Sequence, residues 1–382
     1  MDKKNIRVII TDIESRKAFD LLNILKHLYG YTCVLTSTKK HRSLLTVIFG
    51  QKVHRLRTHA NSVFKKDFEA LLEEFKDKKL VYIPSGETAT RRVLEFLESN
   101  DPEHLYTMLP TKEHFELCCD KGMFQKYCEQ QGFPVPESFT FNKLKREGEK
   151  VLPVIVKPKS GEGSVGIKHV NNLNDIHQLD NLDFEKHIIQ QKIKSNTKVN
   201  GAFYLCRDGV VISQYTHKRL RTFPENGGVT VCSRSGFNKE ILHIGSKLLK
   251  QLNWNGVAMI EFLYDEDKER WFIIELNPRL WGSILLSAAN KSKMLNHYVQ
   301  ICLGDEPENI PTPQEAYIRW MVPFEIINLF KRKISLRNLI TSQHKNTGYV
   351  NISYAPVHRS FLYLIYFLFN PASFKRFLKK IF

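Results

Sequence analysis

The sequence predicts an α/β domain followed by an α+β domain. Three observations carry that prediction. Strand-like and helix-like segments alternate up to about residue 110, as in a parallel sheet with crossover helices. From Asp120 the texture changes to hairpins mixed with helices. The basicity is concentrated at one end. Ten Lys or Arg and no Asp or Glu lie between Lys331 and Phe382, in a chain of formal charge +17. About +10 of the excess therefore describes an extension, while the other 330 residues carry a mild +7.

The elements follow in order. IRVIITDI (6–13) reads as a first buried strand, and AFDLLNILKHLYG has apolar residues at helical spacing and stops at Gly30. YTCVLTST and KLVYIPSG read as further strands, with helices at FKKDFEALLEEFK and TATRRVLEFLES. No G-x-G-x-x-G turn follows the first strand, so a dinucleotide site there is not indicated. DKGMFQKYCEQQGFPVPES is a helix ended by Gly132, and LPVIVKPKSGEGSVGIKHV is strand, glycine-rich loop, strand. GAFYLCRDGVVISQYTHKRL has the form of a hairpin with an Asp-Gly turn. EILHIGSKLLKQL is a helix, and GVAMIEFLYDEDKERWFIIELNPR is two strands joined by a charged turn. The expected units are 1–112, 113–310 and a basic extension, 311–382.

Seven scattered cysteines without a C-x-x-C pair argue against a disulfide framework and for a reducing compartment. The opening residues lack an apolar run of signal-peptide length, and no apolar stretch reaches the roughly 20 residues that span a bilayer. A cytoplasmic location is the expectation. Fourteen histidines show no metal-ligand spacing.

The chemistry concentrates at the last hairpin. Glu275 and Asn277 are two apart on one strand, so their side chains share a face. Glu261 could meet them from the neighbouring strand. Two carboxylates and a carboxamide oxygen suit Mg²⁺, and Arg279 follows Pro278 with a cation nearby. A salt bridge among strand ends is the competing reading. In KPKSGEGSVG, small residues let backbone N–H groups approach phosphate oxygens, and Lys157 precedes them on an apolar strand. An ordinary hairpin turn would read the same way. Arg219 and Arg221 alternate along one strand, so they should share a face ahead of the Pro224–Gly228 turn and bind phosphate or carboxylate. An exposed basic strand is the alternative there.

Together these segments resemble the ATP-grasp superfamily, in its carboxylate–amine ligases and in carbamoyl-phosphate-synthetase-like and biotin-carboxylase-like ATP-binding domains. ELNPRLWGS resembles its E-x-N-P-R motif. The resemblance covers roughly residues 1–305 and is best defined over 113–283. It implies a Rossmann-like domain preceding an ATP-grasp fold. It also implies ATP and Mg²⁺ as cofactors, with Mn²⁺ able to substitute. Lys121 and Lys157 would be the two ATP lysines, and Gly161, Gly163, Ser164 and Gly166 the loop over the phosphates. IIQQKI would be the adenine hinge, through the Gln190 side chain, the Gln191 carbonyl and the Ile193 amide. Asn200 stands near the usual acidic ribose contact. Glu261, Glu275 and Asn277 would hold the metal. Arg279, Arg219 and Arg221 would act on the transferred group or the acceptor.

The implied reaction is activation of a carboxylate as an acyl phosphate for attack by an amine. The partners would be small-molecule carboxylate and amine substrates, no specific nucleic acid, and a second copy in a homodimer. The alternatives are phosphoryl transfer to a hydroxyl and a nucleotide-binding scaffold without turnover. In the tail, Phe374, Phe377, Leu378 and Ile381 fall at i, i+3, i+4, i+7, with Lys375, Arg376, Lys379 and Lys380 opposite. That is the pattern of a basic amphipathic helix on an anionic membrane, or of a helix docked on the protein's own core.

Overall fold

The computed structural model describes residues 2–40, 42–161, 166–177, 179–196, 199–223, 229–307, 309–321, 325–330, 335–337, 347–350 and 352–369. Three sheets organise them. The first is parallel and ordered β3-β2-β1-β4-β5. It is built from β1 (Ile6–Ile10), β2 (Thr32–Ser37), β3 (Val53–Arg55), β4 (Lys79–Tyr82) and β5 (Leu105–Tyr106). Helices α1 (Arg16–Asn23), α2 (Arg42–Phe49), α3 (Asn61–Glu74) and α4 (Glu87–Leu97) are its crossovers. The central strand β1 is buried on both faces, as crossover helices on both sides require. Val8 and Ile10 join one core cluster and Ile9 another.

The second sheet has the order β6-β9-β7-β8, from β6 (Ser138–Phe139), β7 (Val154–Pro158), β8 (Lys168–Val170) and β9 (His187–Gln191). Two helices precede it, α5 (Lys112–Cys119) and α6 (Lys121–Gln130). Asp120 caps α6, its carboxylate accepting from the Gly122 and Met123 amides at 2.7 and 2.9 Å.

The third sheet has the order β14-β13-β10-β11-β12-β15-β16. Its strands are β10 (Asn200–Arg207), β11 (Val210–Phe223), β12 (Val229–Gly236), β13 (Gly256–Asp265), β14 (Arg270–Asn277), β15 (Tyr317–Arg319) and β16 (Thr347–Tyr349). The Asp208-Gly209 turn joins β10 to β11 with both residues at positive φ, as a two-residue hairpin turn requires. One face packs on Leu248, Leu249 and Trp254 through Ala202, Tyr204, Ile260 and Phe262. The other, carrying Phe203, Tyr215 and Met259, is continuous with the core of the first sheet.

Beyond the boundary expected at 310, β15 pairs with β12, and β16 pairs with β15. The sheet therefore continues into the basic extension. At three residues each, these strands are too short for periodicity to show. The Val357–Phe369 helix then packs on α1 and α2. Tyr363 is buried and stacks on Phe19 at 4.1 Å, and its hydroxyl donates to the Glu14 carbonyl at 3.2 Å. Arg359 Nη1 donates to the Phe49 carbonyl at 2.6 Å. The amphipathic stretch 374–381 lies outside the described residues. Among those described, no helix is long and apolar enough to cross a membrane.

Candidate functional site

The last hairpin places its acidic residues as the alternation implies. Glu261 on β13 is the cross-strand partner of Glu275 on β14, and Met259 of Asn277. Both carboxylates and the carboxamide therefore lie on one sheet face. The register slips at Ile274, where a β-bulge bends the strand just before Glu275. The slip lets Ile273 and Leu276, three apart, enter the same core cluster. Asn277 Nδ2 donates to Glu275 Oε1 at 3.0 Å, and Arg279 Nη2 donates to Asn277 Oδ1 at 2.9 Å. Trp281 stacks on Phe203 at 4.3 Å and fixes the segment after the strand.

The lysines converge on the same carboxylates. Lys121 Nζ stands 3.7 Å from Glu275 Oε2 and donates to the Gly161 carbonyl at 2.8 Å. Gly161 holds a φ of +116°, which only glycine adopts without strain. Lys157 crosses from the second sheet, its Nζ 3.5 Å from the Ile274 carbonyl. Burial pushes its pKa down to about 8, against the opposing pull of Glu275. Burial likewise raises the Glu261 carboxyl, although Arg219 Nη2 donates to it at 2.5 Å. Cation and carboxylate are thus both incompletely compensated. A bound Mg²⁺ and phosphate would correct both at once. Among the described residues no three His, Cys, Asp or Glu cluster together. Two carboxylates and an amide oxygen suit an ion that keeps waters or phosphates as its other ligands.

Other expected residues are placed differently. Arg219 pairs with Ser233 and Ser233 with Ile318, but Arg221 pairs with Cys232 and Cys232 with Arg319. A bulge at Leu220 shifts the register and turns Arg221 to the opposite face. The two arginines therefore do not share a face. Arg221 instead donates to Glu325 at 2.9 and 2.7 Å, and Arg319 Nη2 donates to the same carboxylate at 2.9 Å. Asn200 also sits one position out of phase. It pairs with Phe262, whereas Gly201 pairs with Glu261, so it alternates to the face opposite the carboxylates.

Gln190 is buried and donates to Gln125, whose own amide donates to the Pro136 carbonyl at 2.5 Å. Its side chain is therefore committed to α6. Gln191 Oε1 accepts from Lys268 at 2.9 Å, and Ile193 follows two residues beyond β9. Gly166 ends the loop at positive φ; Gly163, Ser164 and the Pro224–Gly228 turn lie outside the described residues.

The structure adds residues that sequence reading missed. One cross-strand row runs Glu275, Glu261, Gly201, His217 and Ser235. A Cβ on Gly201 would stand 2.8 Å from His217 Nε2, so this strand-interior glycine marks close approach. His217 is buried and neutral, its pKa pushed down to about 3 by burial and then by Arg219. Ser283 Oγ lies 3.3 Å from its Nδ1. Among the described residues, His217 Nε2 and Arg219 Nε are buried without a hydrogen-bond partner. The first sheet meets this region at the carboxyl ends of β1 and β4. The Leu280 amide donates to the Pro84 carbonyl at 2.8 Å, and Arg16 Nη2 donates to the Gly282 carbonyl at 3.2 Å.

Comparison with known proteins gives a family-model match and a shared fold. Residues 118–283 match the family model of the ATP-grasp domain. The chain is 19% identical over 278 residues to the carbamoyl phosphate synthase large chain of Thermoanaerobacter sp. (strain X514), covering 64% of this chain and 24% of that protein. It spans no more than about a quarter of the curated relatives it matches. Among solved structures, the Hydrogenobacter thermophilus 2-oxoglutarate carboxylase biotin carboxylase domain, with MgADP and bicarbonate, superposes with TM-score 0.63. Identity is 14%, over 82% of this chain and 73% of that one. N5-carboxyaminoimidazole ribonucleotide synthetase from Thermus thermophilus gives 0.58 at 15% identity, over 82% of each chain. Over residues 118–283 the chain therefore resembles the ATP-grasp domain, as its sequence motifs imply.

Proposed function

We propose that the protein is an ATP- and Mg²⁺-dependent ligase that activates a carboxylate as an acyl phosphate for attack by an amine. One observation carries this reading. Glu261, Glu275, Asn277 and Arg279 on the large sheet gather with Lys121 and with Lys157 from the small sheet. Two carboxylates, an amide oxygen and three cations on one face suit a metal-bound triphosphate.

Lys121, Lys157 and the loop from Gly161 to Gly166 hold the phosphates, and residues 190–193 contact the adenine through backbone atoms. Glu261, Glu275 and Asn277 would hold the metal, which would supply charge neutralisation at the phosphates. Arg279 and Arg219 stabilise charge on the phosphoryl group as it moves from ATP to the substrate carboxylate, leaving ADP. The amine then attacks the acyl carbon and phosphate departs. The parallel sheet takes the place of the Rossmann-like domain that precedes the ATP-grasp fold and closes the acceptor side, where Pro84 and Arg16 meet Leu280 and Gly282. A homodimer belongs to the same proposal, as the Hydrogenobacter neighbour is described as a domain dimer.

The test combines Mg·ATP, hydroxylamine and a panel of amino acids, sugar acids and cell-envelope precursors. Hydroxylamine converts acyl phosphates to hydroxamates. ADP release with a hydroxamate is the expected result. ADP release with a phosphorylated alcohol would replace the ligase by a phosphotransferase.

A further inference from the structure

Two stretches of this chain carry basic residues and no acidic ones, and a helix of one packs on a helix of the other. Residues 21–66 hold nine Lys or Arg without an Asp or Glu, and residues 326–382 hold ten. The first contains α2, and the second contains the Val357–Phe369 helix that packs on it. Both helices bury one stripe and expose another that is apolar. On α2, Leu45, Ile48 and Phe49 are buried while Leu44 and Val47 are 54% and 68% exposed. On the later helix, Tyr363 is buried while Val357, Phe361, Ile365 and Phe369, each four residues from the next, are exposed.

Large side chains such as Phe361 and Phe369 on an outer helix stripe mark an interaction surface. The charges around them choose the partner. Lys39 and Lys40 are exposed just ahead of α2, and Arg42 opens it. Thirteen residues follow Phe369 in the sequence, with Lys375, Arg376, Lys379 and Lys380 and no acid. A second copy of this chain would set the like charges of Lys39, Lys40 and Arg42 against each other. A nucleic acid would match the charge but leave the apolar stripes exposed. An anionic bilayer satisfies both, taking apolar side chains at the acyl boundary and lysines at the headgroups.

We infer that the face formed by α2 and the Val357–Phe369 helix docks on an anionic membrane surface. This is independent of the ligase chemistry; Tyr363 of the docked helix donates to the Glu14 carbonyl, and Arg16 two residues on donates to the Gly282 carbonyl beside the candidate site.

The test is sedimentation of the full chain with lipid vesicles. Binding is expected to vesicles with about 30% phosphatidylserine, and at least tenfold less to pure phosphatidylcholine. The combined variant Leu44→Glu, Val47→Glu, Phe361→Glu, Ile365→Glu should lose at least tenfold with an unchanged thermal midpoint, since all four side chains are exposed. Replacing Lys39, Lys40 and Arg42 with Gln should weaken binding about threefold and reduce its salt sensitivity. Equal sedimentation of wild type and the fourfold variant would overturn the inference. So would a dimer that this variant dissociates in a protein without vesicle affinity, or RNA binding that it leaves intact in such a protein.

Discussion

Arg219 and Arg221 stand two residues apart on one strand, and each meets a glutamate, yet they belong to different structures. Arg219 reaches Glu261 in the site, where the carboxyl stays raised and Arg219 Nε has no partner among the described residues. Arg221 donates twice to Glu325, which is fully buried and shared with Arg319. The first pair is left short of its electrostatic needs and can accept a ligand. In the second, two guanidiniums answer one buried carboxylate, although Arg319 Nε, like Arg219 Nε, has no partner among the described residues. A buried carboxylate held by two guanidiniums specifies structure, while an incompletely compensated one marks chemistry. The single bulged residue Leu220 separates the two roles.

The largest expected effect comes from the strand proposed to hold the metal. Glu275→Gln and Asn277→Ala should each lower turnover by about a thousandfold or more, within the range of lost transition-state stabilisation, while nucleotide binding is partly kept. Steady-state ADP release checks this, and near-normal turnover in both would remove the metal site from the account.

The arginines sharpen the contrast directly. Arg219→Ala should cut kcat/KM by about a hundredfold, with a smaller loss of stability than Arg221→Ala, since the Glu261 side chain is 13% exposed and that of Glu325 fully buried. Arg221→Ala should destabilise the fold by about 3 kcal/mol, because it strips a buried carboxylate of a partner, and leave the kinetics of the folded enzyme close to wild type. Paired denaturation and kinetic measurements decide it. The same outcome for both arginines would erase the distinction.

Lys157 offers a pH test. Its pKa near 8 lies below the ordinary lysine value of 10.5, so between those values the unfolded chain binds more protons and stability rises with pH. Below about pH 8 the full cost of charging the buried amine is present. Lys157→Met should therefore raise stability at pH 7 by up to about 3 kcal/mol, remove that rise, and weaken nucleotide binding. Melting curves from pH 7 to 10 report the first two. The smallest change is Gly201→Ala, which should cost about 1–3 kcal/mol by crowding His217, as measured by urea denaturation.

The sequence made much of this visible where period-two alternation and a local motif coincide. Glu275, Asn277 and Arg279 lie within five residues, and Glu261 sits on the strand joined to theirs by a short turn, so local rules place them together. Bulges escaped, because an inserted residue such as Leu220 or Ile274 has no composition of its own, and one slip reverses every later side chain. That is why Arg221 changed faces. A one-residue difference in strand phase put Gly201, not Asn200, on the carboxylate face. Glu325 could not be paired with Arg221 because 104 residues separate them. Gly201 was recoverable: a glycine opening the apolar run GAFYLC signals close approach, with His217 opposite.

The most direct test of the central claim is calorimetric titration of a non-hydrolysable ATP analogue with and without Mg²⁺, into wild type and the Glu261→Gln, Glu275→Gln double variant. Wild type should bind more tightly with Mg²⁺, and the double variant should lose that dependence while keeping its fold. An unchanged Mg²⁺ dependence in the variant would contradict the placement of the metal-bound phosphates on this row.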